Sequence, residues 1–594
     1  MKSPTRSADF DADLRLIKIS AIAIVVGAIC AVIALVLLRL IGLFTNLLFY
    51  QDFAFNLTTP ANNHLGWWIL AIPAGGGLIA GLMARYGSEM IRGHGIPEAL
   101  EAILFGKSRM SIKVAILKPL SSAIVIGSGG PFGAEGPIIM TGGSVGSLIG
   151  QTFMLTAIER RILLVAGAAA GMAATFNTPI AAALLAVEML LFEMKPRSLV
   201  PVALACATAA AIRPFLLGDG PLFPVNGVID YTTLGLGSAA ACGLLGGVLA
   251  AILTWAVYAS EDGFRKLPIH WMWWPMIGGL IVGLGGYFQP HALGVGYDVI
   301  RGLLNGQFAL GAVATLIVVK LAIWALSLGS GTSGGVLAPL LMMGAALGVF
   351  ESHFLPGGSP LLWPLLSMGA VLAGVMRSPF TAIVFVLELT HKLPVLGPLL
   401  IAVTFAYGFS VIFMRRSILT EKVARRGRHI FREYSVDPLV TLFVAQLMSR
   451  QIKAIPASLT VAEADAQYFG ATQAHRAYPV TEEGGRYAGI VTRAEITAWL
   501  ERAPAATLAE CLADQKRVVA TPNETCRTVA TRMARYKLER IAVVNNDEEG
   551  RLVGLLARSD IVRGFMVHYE NEHVRERYLT LGRRAHRRVK PHDL

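Results

Sequence analysis

The sequence predicts an α-helical multi-pass membrane protein, built as two inverted repeats of broken and tilted helices, followed by a cytosolic α/β pair. Three observations carry this expectation. Of 594 residues, 54% are hydrophobic and only 15% charged, too few charges to cover a soluble globule of that length. The charge is unevenly spread: residues 1–420 hold 24 Lys/Arg and 18 Asp/Glu, or 10%, whereas residues 421–594 hold 28 and 21, or 28%. Lipid is implied around the first part and water around the second. The apolar part also repeats itself at a spacing of about 200 residues.

The elements follow in order. Lys2, Arg6, Arg15 and Lys18 precede an apolar run, Ile19 to Leu38, that is too long for a signal peptide and has no small-residue cleavage site. It reads as a spanning helix that starts in the cytosol. That run lies within the first of a series of apolar segments, Ile17–Tyr50, Trp67–Ala84, Ala115–Ile126, Pro137–Leu155, Ile162–Leu191 and Leu199–Leu217. A second series covers Leu234–Tyr258, Met272–Phe288, Leu310–Leu328, Val336–Phe350, Leu361–Met376, Phe380–Leu389 and Val395–Met414. Several are nearer 12–15 residues than the ~20 needed to cross the hydrocarbon, and Gly and Pro interrupt them. Such segments end inside the protein, where their ends line a site. Arg415, Arg416, Arg425, Arg426 and Arg428 crowd the exit of the last segment, which puts both termini in the cytosol of a cell-membrane protein. The five cysteines, Cys30, Cys206, Cys242, Cys511 and Cys526, have no metal-ligand or disulfide spacing, so no metal is expected.

The repeat is specific. Glycines stand five and nine residues after Pro137 (Gly142, Gly146) and after Pro339 (Gly344, Gly348). Asn177-Thr178-Pro179 leads to Glu188, and Arg377-Ser378-Pro379 leads to Glu388, each nine residues past its proline. Residues about 110–200 and 310–400 therefore read as two copies of one unit, which in transporters commonly meet near the midplane with opposite topology. Gly142/Gly146 and Gly344/Gly348 read as packing residues.

Each copy opens on a glycine-rich turn, Gly127 to Gly136 before Pro137 and Gly329 to Ala338 before Pro339. A proline at the first helical position wastes no N–H, so the expectation is that the helices begin at Pro137 and Pro339. Bare amides at a helix N-terminus bind anions, helped by the helix dipole. A third turn, Gly93-His94-Gly95-Ile96-Pro97-Glu98, has the same layout. One terminus contributes about 1–2 kcal/mol, so several must converge to hold a dehydrated ion. Glu135 lies at one of these N-termini, where its carboxylate can occupy the place an anion would take, and protonation would free that place. Glu188 and Glu388 recur in both copies, which favours a structural role with a backbone or Arg partner.

With these residues in hand, positions 15–425 resemble the CLC family of chloride channels and proton/chloride antiporters. Gly93-His94-Gly95-Ile96-Pro97 is similar to the family's GSGIP, Gly133-Ala134-Glu135-Gly136-Pro137 to GREGP, and Gly334-Gly335-Val336-Leu337-Ala338-Pro339 to GGIFAP. Phe176-Asn177-Thr178-Pro179 and Ser378-Pro379-Phe380-Thr381 stand in matching places. The resemblance implies the CLC fold, a homodimer with one pore per subunit, chloride and protons as the solutes, and no enzymatic activity. It makes Glu135 the gate, and it implies an anion held by His94, Gly95, Ile96, Ala134, Gly136, Val336, Leu337 and Ala338. Four departures matter. His94 replaces serine; Leu419 stands where the family has its pore tyrosine; Met189, beside Glu188, stands at the inner proton-pathway position and cannot carry a proton; and Ala134 replaces the arginine of GREGP, which removes one positive charge near the outer mouth.

Residues about 440–570 contain a second repeat. His475 to Val480 matches Glu539 to Val544 at an offset of 64, and Gly489 to Glu495 matches Gly554 to Asp560 at 65. Short β runs followed by helices give an α/β unit of about 60 residues. This resembles a tandem CBS pair, in which a Ser/Thr and an Asp three residues on can contact the ribose of an adenine nucleotide. Here Thr492 stands with Glu495, and Ala557 with Asp560, so each copy lacks one partner. No other cofactor is implied. The expected domains are a cytosolic segment 1–14, the transport domain 15–425 with halves about 15–217 and 233–414, CBS copies 440–505 and 506–570, and a basic tail 571–594. The tail reads as solvated and able to touch anionic lipid rather than nucleic acid. A CBS-regulated cation transporter would line its path with acids that are scarce here, and a membrane enzyme would need a nucleophile and base that have no recognisable spacing. A CLC-type carrier for nitrate or fluoride stays open beside chloride.

Overall fold

The computed structural model describes residues 14–426, 439, 442–470, 473, 475–515, 517–545 and 550–573. Residues 1–13, Arg428 and most of the expected basic tail lie outside the described residues. The chain divides into two compact units, Met1–Glu433 and Tyr434–Leu594.

The described residues of the first unit form helices joined by turns and loops. Its first half holds α1 (Arg15–Thr45), α2 (Ala71–Tyr86), α3 (Ile96–Leu104), α4 (Ile112–Gly127), α5 (Glu135–Thr152), α6 (Ala157–Phe176), α7 (Pro179–Leu185) and α8 (Pro196–Leu217). Its second half holds α9 (Thr233–Arg265), α10 (Trp274–Phe288), α11 (Tyr297–Leu304), α12 (Leu310–Gly329), α13 (Leu337–Glu351), α14 (Leu362–Met376), α15 (Pro379–Thr390) and α16 (Leu396–Phe413), and α17 (Ile418–Arg425) closes the unit. Among the described residues, six helical stretches are long and apolar enough to cross a membrane, while Pro179–Leu191, Leu337–Glu351, Leu362–Met376 and Pro379–Thr390 are shorter. Hydrophobic burial cannot drive helices together in lipid, so close approach of backbones and satisfied polar groups must do so.

Glycine supplies the close approach. A Cβ on Gly142 would collide with the Gly167 carbonyl and one on Gly146 with the Leu163 carbonyl, so α5 packs on α6 with no side chain between them. In the second half a Cβ on Gly344 would stand 2.8 Å from the Ser367 carbonyl, and one on Gly348 would collide with Pro364, so α13 packs the same way on α14.

The two halves meet through reciprocal bonds between equivalent positions. Gly133 and Gly335, equivalent positions, pair as an antiparallel bridge, with Gly133 N donating to Gly335 O (3.3 Å) and Gly335 N to Gly133 O (2.9 Å). Glu188 accepts from Phe380 N (3.3 Å) and Thr381 N (2.8 Å) at the start of α15. Glu388 accepts from Ile180 N (3.0 Å) and Ala181 N (2.8 Å) at the start of α7. Each carboxylate thus caps the other half's helix, satisfying amides that have no partner within that helix.

The Ile162–Leu191 run holds two helices: Asn177 takes the left-handed conformation (φ 60°) and separates α6 from α7. One expectation is corrected: α5 and α13 do not start at their prolines but two residues earlier, at Glu135 and Leu337. All four leading amides of a helix lack an internal acceptor, so proline is tolerated at the third position as well as the first.

The second unit holds α18 (Val444–Leu447), β1 (Ile455–Pro456), α19 (Val461–Ala464), β2 (Ala477–Thr481), β3 (Tyr487–Thr492), α20 (Arg493–Arg502), α21 (Leu508–Cys511), β4 (Val519–Ala520), α22 (Cys526–Tyr536), β5 (Arg540–Val544), β6 (Leu552–Ala557) and α23 (Arg558–His573). Both sheets have one parallel and one antiparallel pairing, in the orders β1-β2-β3 and β4-β5-β6. Each is backed by its own apolar cluster, around Val480, Val491 and Ile496 and around Val529, Ile541 and Leu556. The copies exchange their leading segments: Ser449 bridges Leu555 of the second copy, and Leu508 N donates to Leu459 O of the first at 3.0 Å.

Candidate anion site

Three glycine-rich turns meet at the heart of the first unit. Gly136 marks the junction: a Cβ there would collide with the His94 carbonyl of the first turn and stand 3.2 Å from the Gly335 Cα of the third. Gly95, at φ 91°, adopts a conformation that a side chain resists and brings His94 and Ile96 against α5. Ala134, Val336, Leu337 and Ala338 are all buried beside them. The helices that follow, α5 and α13, start at this point, so the positive ends of two dipoles share it.

Glu135 occupies the junction. It is fully buried, Leu337 N donates to its Oε1, and the Ala338 amide also faces the carboxylate. Its Oε2 has no hydrogen-bond partner. Side chains on Gly133 or Gly335 would collide with the carboxylate, which gives those two glycines a reason beyond flexibility. The acid therefore sits where sequence reasoning expected an anion to sit, with one oxygen held and one free.

The remaining expected residues fall into three groups. His94 lies at the junction, 3% exposed, its Nδ1 without a partner. Gly95 does not offer its amide, a correction: Gly95 N donates to Glu98 Oε2 at 3.1 Å, because a helix-opening carboxylate three residues on is the nearest acceptor. Leu419 is buried on the first turn of α17 and brings methyl groups only. A hydroxyl does reach that turn, from Tyr258 of α9, but it donates to the Ile418 carbonyl.

The inner proton-pathway pair is placed differently from the junction. Both Glu188 oxygens are engaged at the start of α15, Oε2 also accepting from Thr381 Oγ1 at 2.6 Å, and Met189 is fully buried. In the second unit Thr492 N and Oγ1 both donate to Glu495 Oε2 (2.8 and 2.7 Å), and Ala557 N donates to Asp560 Oδ2 at 2.9 Å. Thr492, Glu495 and Asp560 thus cap helices α20 and α23.

Sequence reasoning missed two buried ammonium groups. Lys118 Nζ donates to Ile91 O (2.8 Å), Gly93 O (2.7 Å) and Ser333 Oγ (3.0 Å), tying the first turn to the third. Lys320 Nζ donates to Ala292 O (2.9 Å) and Gly294 O (3.1 Å). The spacing of 202 between these lysines, equal to that between Pro137 and Pro339, was the available signal. It also missed Tyr297, whose buried hydroxyl has no partner and lies within electrostatic reach of Glu135.

Comparison with known proteins identifies the family and the fold. Residues 76–411 match the model of the voltage gated chloride channel family, and residues 444–502 and 510–566 match CBS domains. The chain is 31% identical over 415 residues to the voltage-gated ClC-type chloride channel ClcB of Escherichia coli O81 (strain ED1a), covering 68% of this chain and 99% of that one. Among solved structures, a slow cyanobacterial Cl-/H+ antiporter superposes with a TM-score of 0.63 at 23% identity, covering 70% of this chain and 99% of its own. A eukaryotic CLC transporter superposes with a TM-score of 0.57 at 19% identity over 92% of this chain and 98% of its own. The chain belongs to the voltage gated chloride channel family and carries a pair of CBS domains later in its sequence.

Proposed function

We propose that this membrane protein carries chloride across the cell membrane, one path per subunit of a homodimer, with both termini in the cytosol. One observation carries the reading: the Glu135 carboxylate sits on the Leu337 amide at the N-terminus of α13, in the place an anion would occupy. Carboxylate and chloride compete for the same donors, so the ion passes when the acid is protonated or swings away. The donors are peptide amides and dipoles rather than full charges, which lets an ion bind without being trapped. The dimer is supported by the apolar side chains that α7 and α15 present outward, Ile180 (61% exposed) and Phe380 (63%), next to the reciprocal Glu188 and Glu388 caps. The CBS pair takes a regulatory role in this reading. An adenine nucleotide there would meet Thr492, Glu495 and Asp560 already engaged as caps, and calorimetric titration of the full chain with ATP tests for it.

The experiment is reconstitution in liposomes with an imposed chloride gradient, recording chloride and protons together. Chloride flux is expected, and Glu135→Gln should change it at least tenfold and abolish any proton movement linked to it. Uphill proton movement in the wild type identifies an antiporter, and chloride flux alone a passive path. Wild-type behaviour from Glu135→Gln would end the gating assignment.

A further inference from the structure

Tyr297 opens α11, and the loop ahead of it is tied to both copies. Gly294 N donates to the Gly129 carbonyl of the first copy's glycine-rich turn at 2.9 Å, while Lys320 of the second copy holds the Gly294 carbonyl at 3.1 Å. Gly296, at φ 75°, adopts a conformation that favours glycine and turns the chain into the helix. A Cβ on Gly296 would collide with the Met342 methyl group of α13. The start of α11 therefore lies directly against the helix whose first amide, Leu337 N, holds Glu135.

Aromatic contacts fix the ring. Its centroid stands 6.2 Å from that of Phe176 and 5.8 Å from that of Phe223, both edge-to-face, and both phenylalanines are fully buried. The Tyr297 hydroxyl is buried as well and has no hydrogen-bond partner, a cost that native interiors rarely carry without a use for the group. The charge that acts on it is that of Glu135, whose own Oε2 lacks a donor. The carboxylate is held at Oε1 by Leu337 N and does not bond the hydroxyl. A donor from the second copy and an acceptor from the first thus border one place without closing on each other. A chloride ion is larger than a carboxylate oxygen and has no tether to the backbone, so in that place it can touch the Leu337 amide and the hydroxyl together. No further room is needed, because the ion takes the volume that the carboxylate leaves. Tyr297 also supplies the hydroxyl that Leu419, with methyl groups only, does not.

We propose that the Tyr297 hydroxyl donates to the anion that takes the place of the Glu135 carboxylate, and so sets a preference for chloride over larger anions of spread charge. The assignment rests on the chloride reading above and deepens it by naming a side-chain donor beside the Leu337 amide. A hydroxyl dipole acts more strongly on compact charge at short range than on charge spread over several atoms. Its loss falls hard on chloride and lightly on thiocyanate.

The test titrates the detergent-solubilised full chain with sodium chloride by calorimetry and records chloride and thiocyanate flux in liposomes. Tyr297→Phe removes one oxygen and keeps the ring between Phe176 and Phe223, so the variant should unfold at the wild-type temperature or above it. Chloride should bind the variant about fivefold more weakly, the worth of one hydrogen bond, and the chloride-to-thiocyanate flux ratio should fall about threefold. Unchanged chloride affinity or an unchanged flux ratio overturns the proposal. So does a lower unfolding temperature, which would give the hydroxyl a partner inside the protein. The outcomes also separate this assignment from the transport reading. A wild type that binds no chloride defeats both; normal transport with an indifferent Tyr297→Phe defeats this assignment alone. A wild type that binds chloride through Tyr297 yet carries none defeats the transport reading and leaves the donor standing.

Discussion

The first repeat and the second share one geometry and differ in chemistry. Both start a helix at the same junction, both bury a lysine over two loop carbonyls, and both lend an acid to cap the other's helix. Yet at the repeat spacing of 202, Glu135 corresponds to Leu337, His94 to Gly296 and Arg92 to Gly294. The first copy brings a carboxylate and an imidazole to the junction, and the second brings backbone amides and the Tyr297 hydroxyl. A repeated scaffold alone would give a path with equivalent ends, so the side chains that differ between the copies give this path its inside and outside.

That comparison can be broken at the contact between copies. Gly136→Ala places a methyl group against the His94 carbonyl and beside Gly335, contacts that backbone cannot yield, so anion flux should fall at least a hundredfold. Size-exclusion of the variant alongside liposome flux separates loss of the junction from loss of the fold; normal flux would show that the three turns need not touch.

The two buried lysines differ in what they hold. Either Lys118→Met or Lys320→Met leaves buried acceptors without a donor, at about 1–3 kcal/mol each, which thermal unfolding in detergent measures. Lys118 also holds Ser333 of the third turn to Gly93 of the first, so its loss should cut chloride flux severalfold more than loss of Lys320 at similar stability. Equal flux in the two variants would mean that the copies tolerate disturbance alike. The smallest effect belongs to the second unit. Thr492→Ala removes an N-cap and should cost about 1 kcal/mol, read as faster amide exchange over Arg493–Arg502 in the full chain.

Much of the junction was legible beforehand because glycine and proline announce broken helices, and a lone acid among them stands out. Glu135, Ala134, Gly136 and the Val336–Ala338 turn come together. What was not legible is which amides are already used. Gly95 looks like a donor in sequence, yet Glu98, three residues on, takes its N–H. Glu188 sits beside the proton-pathway position in sequence, yet in space both its oxygens cap a helix about 190 residues away. Lys118 and Lys320 hide inside apolar runs, where a single charge hardly alters hydropathy.

Hydropathy, glycine and proline act locally, so the solvent of each part, the points where helices break, the two-copy plan and the acid at the first turn are written in the order of residues alone. Only the tertiary structure decided which donors stay free, that Glu135 rests on the Leu337 amide, and that Arg92 faces Gly331 across the repeats. Hydrogen-bond capacity is shared among groups far apart in the chain, so its allocation exists only once the halves have met.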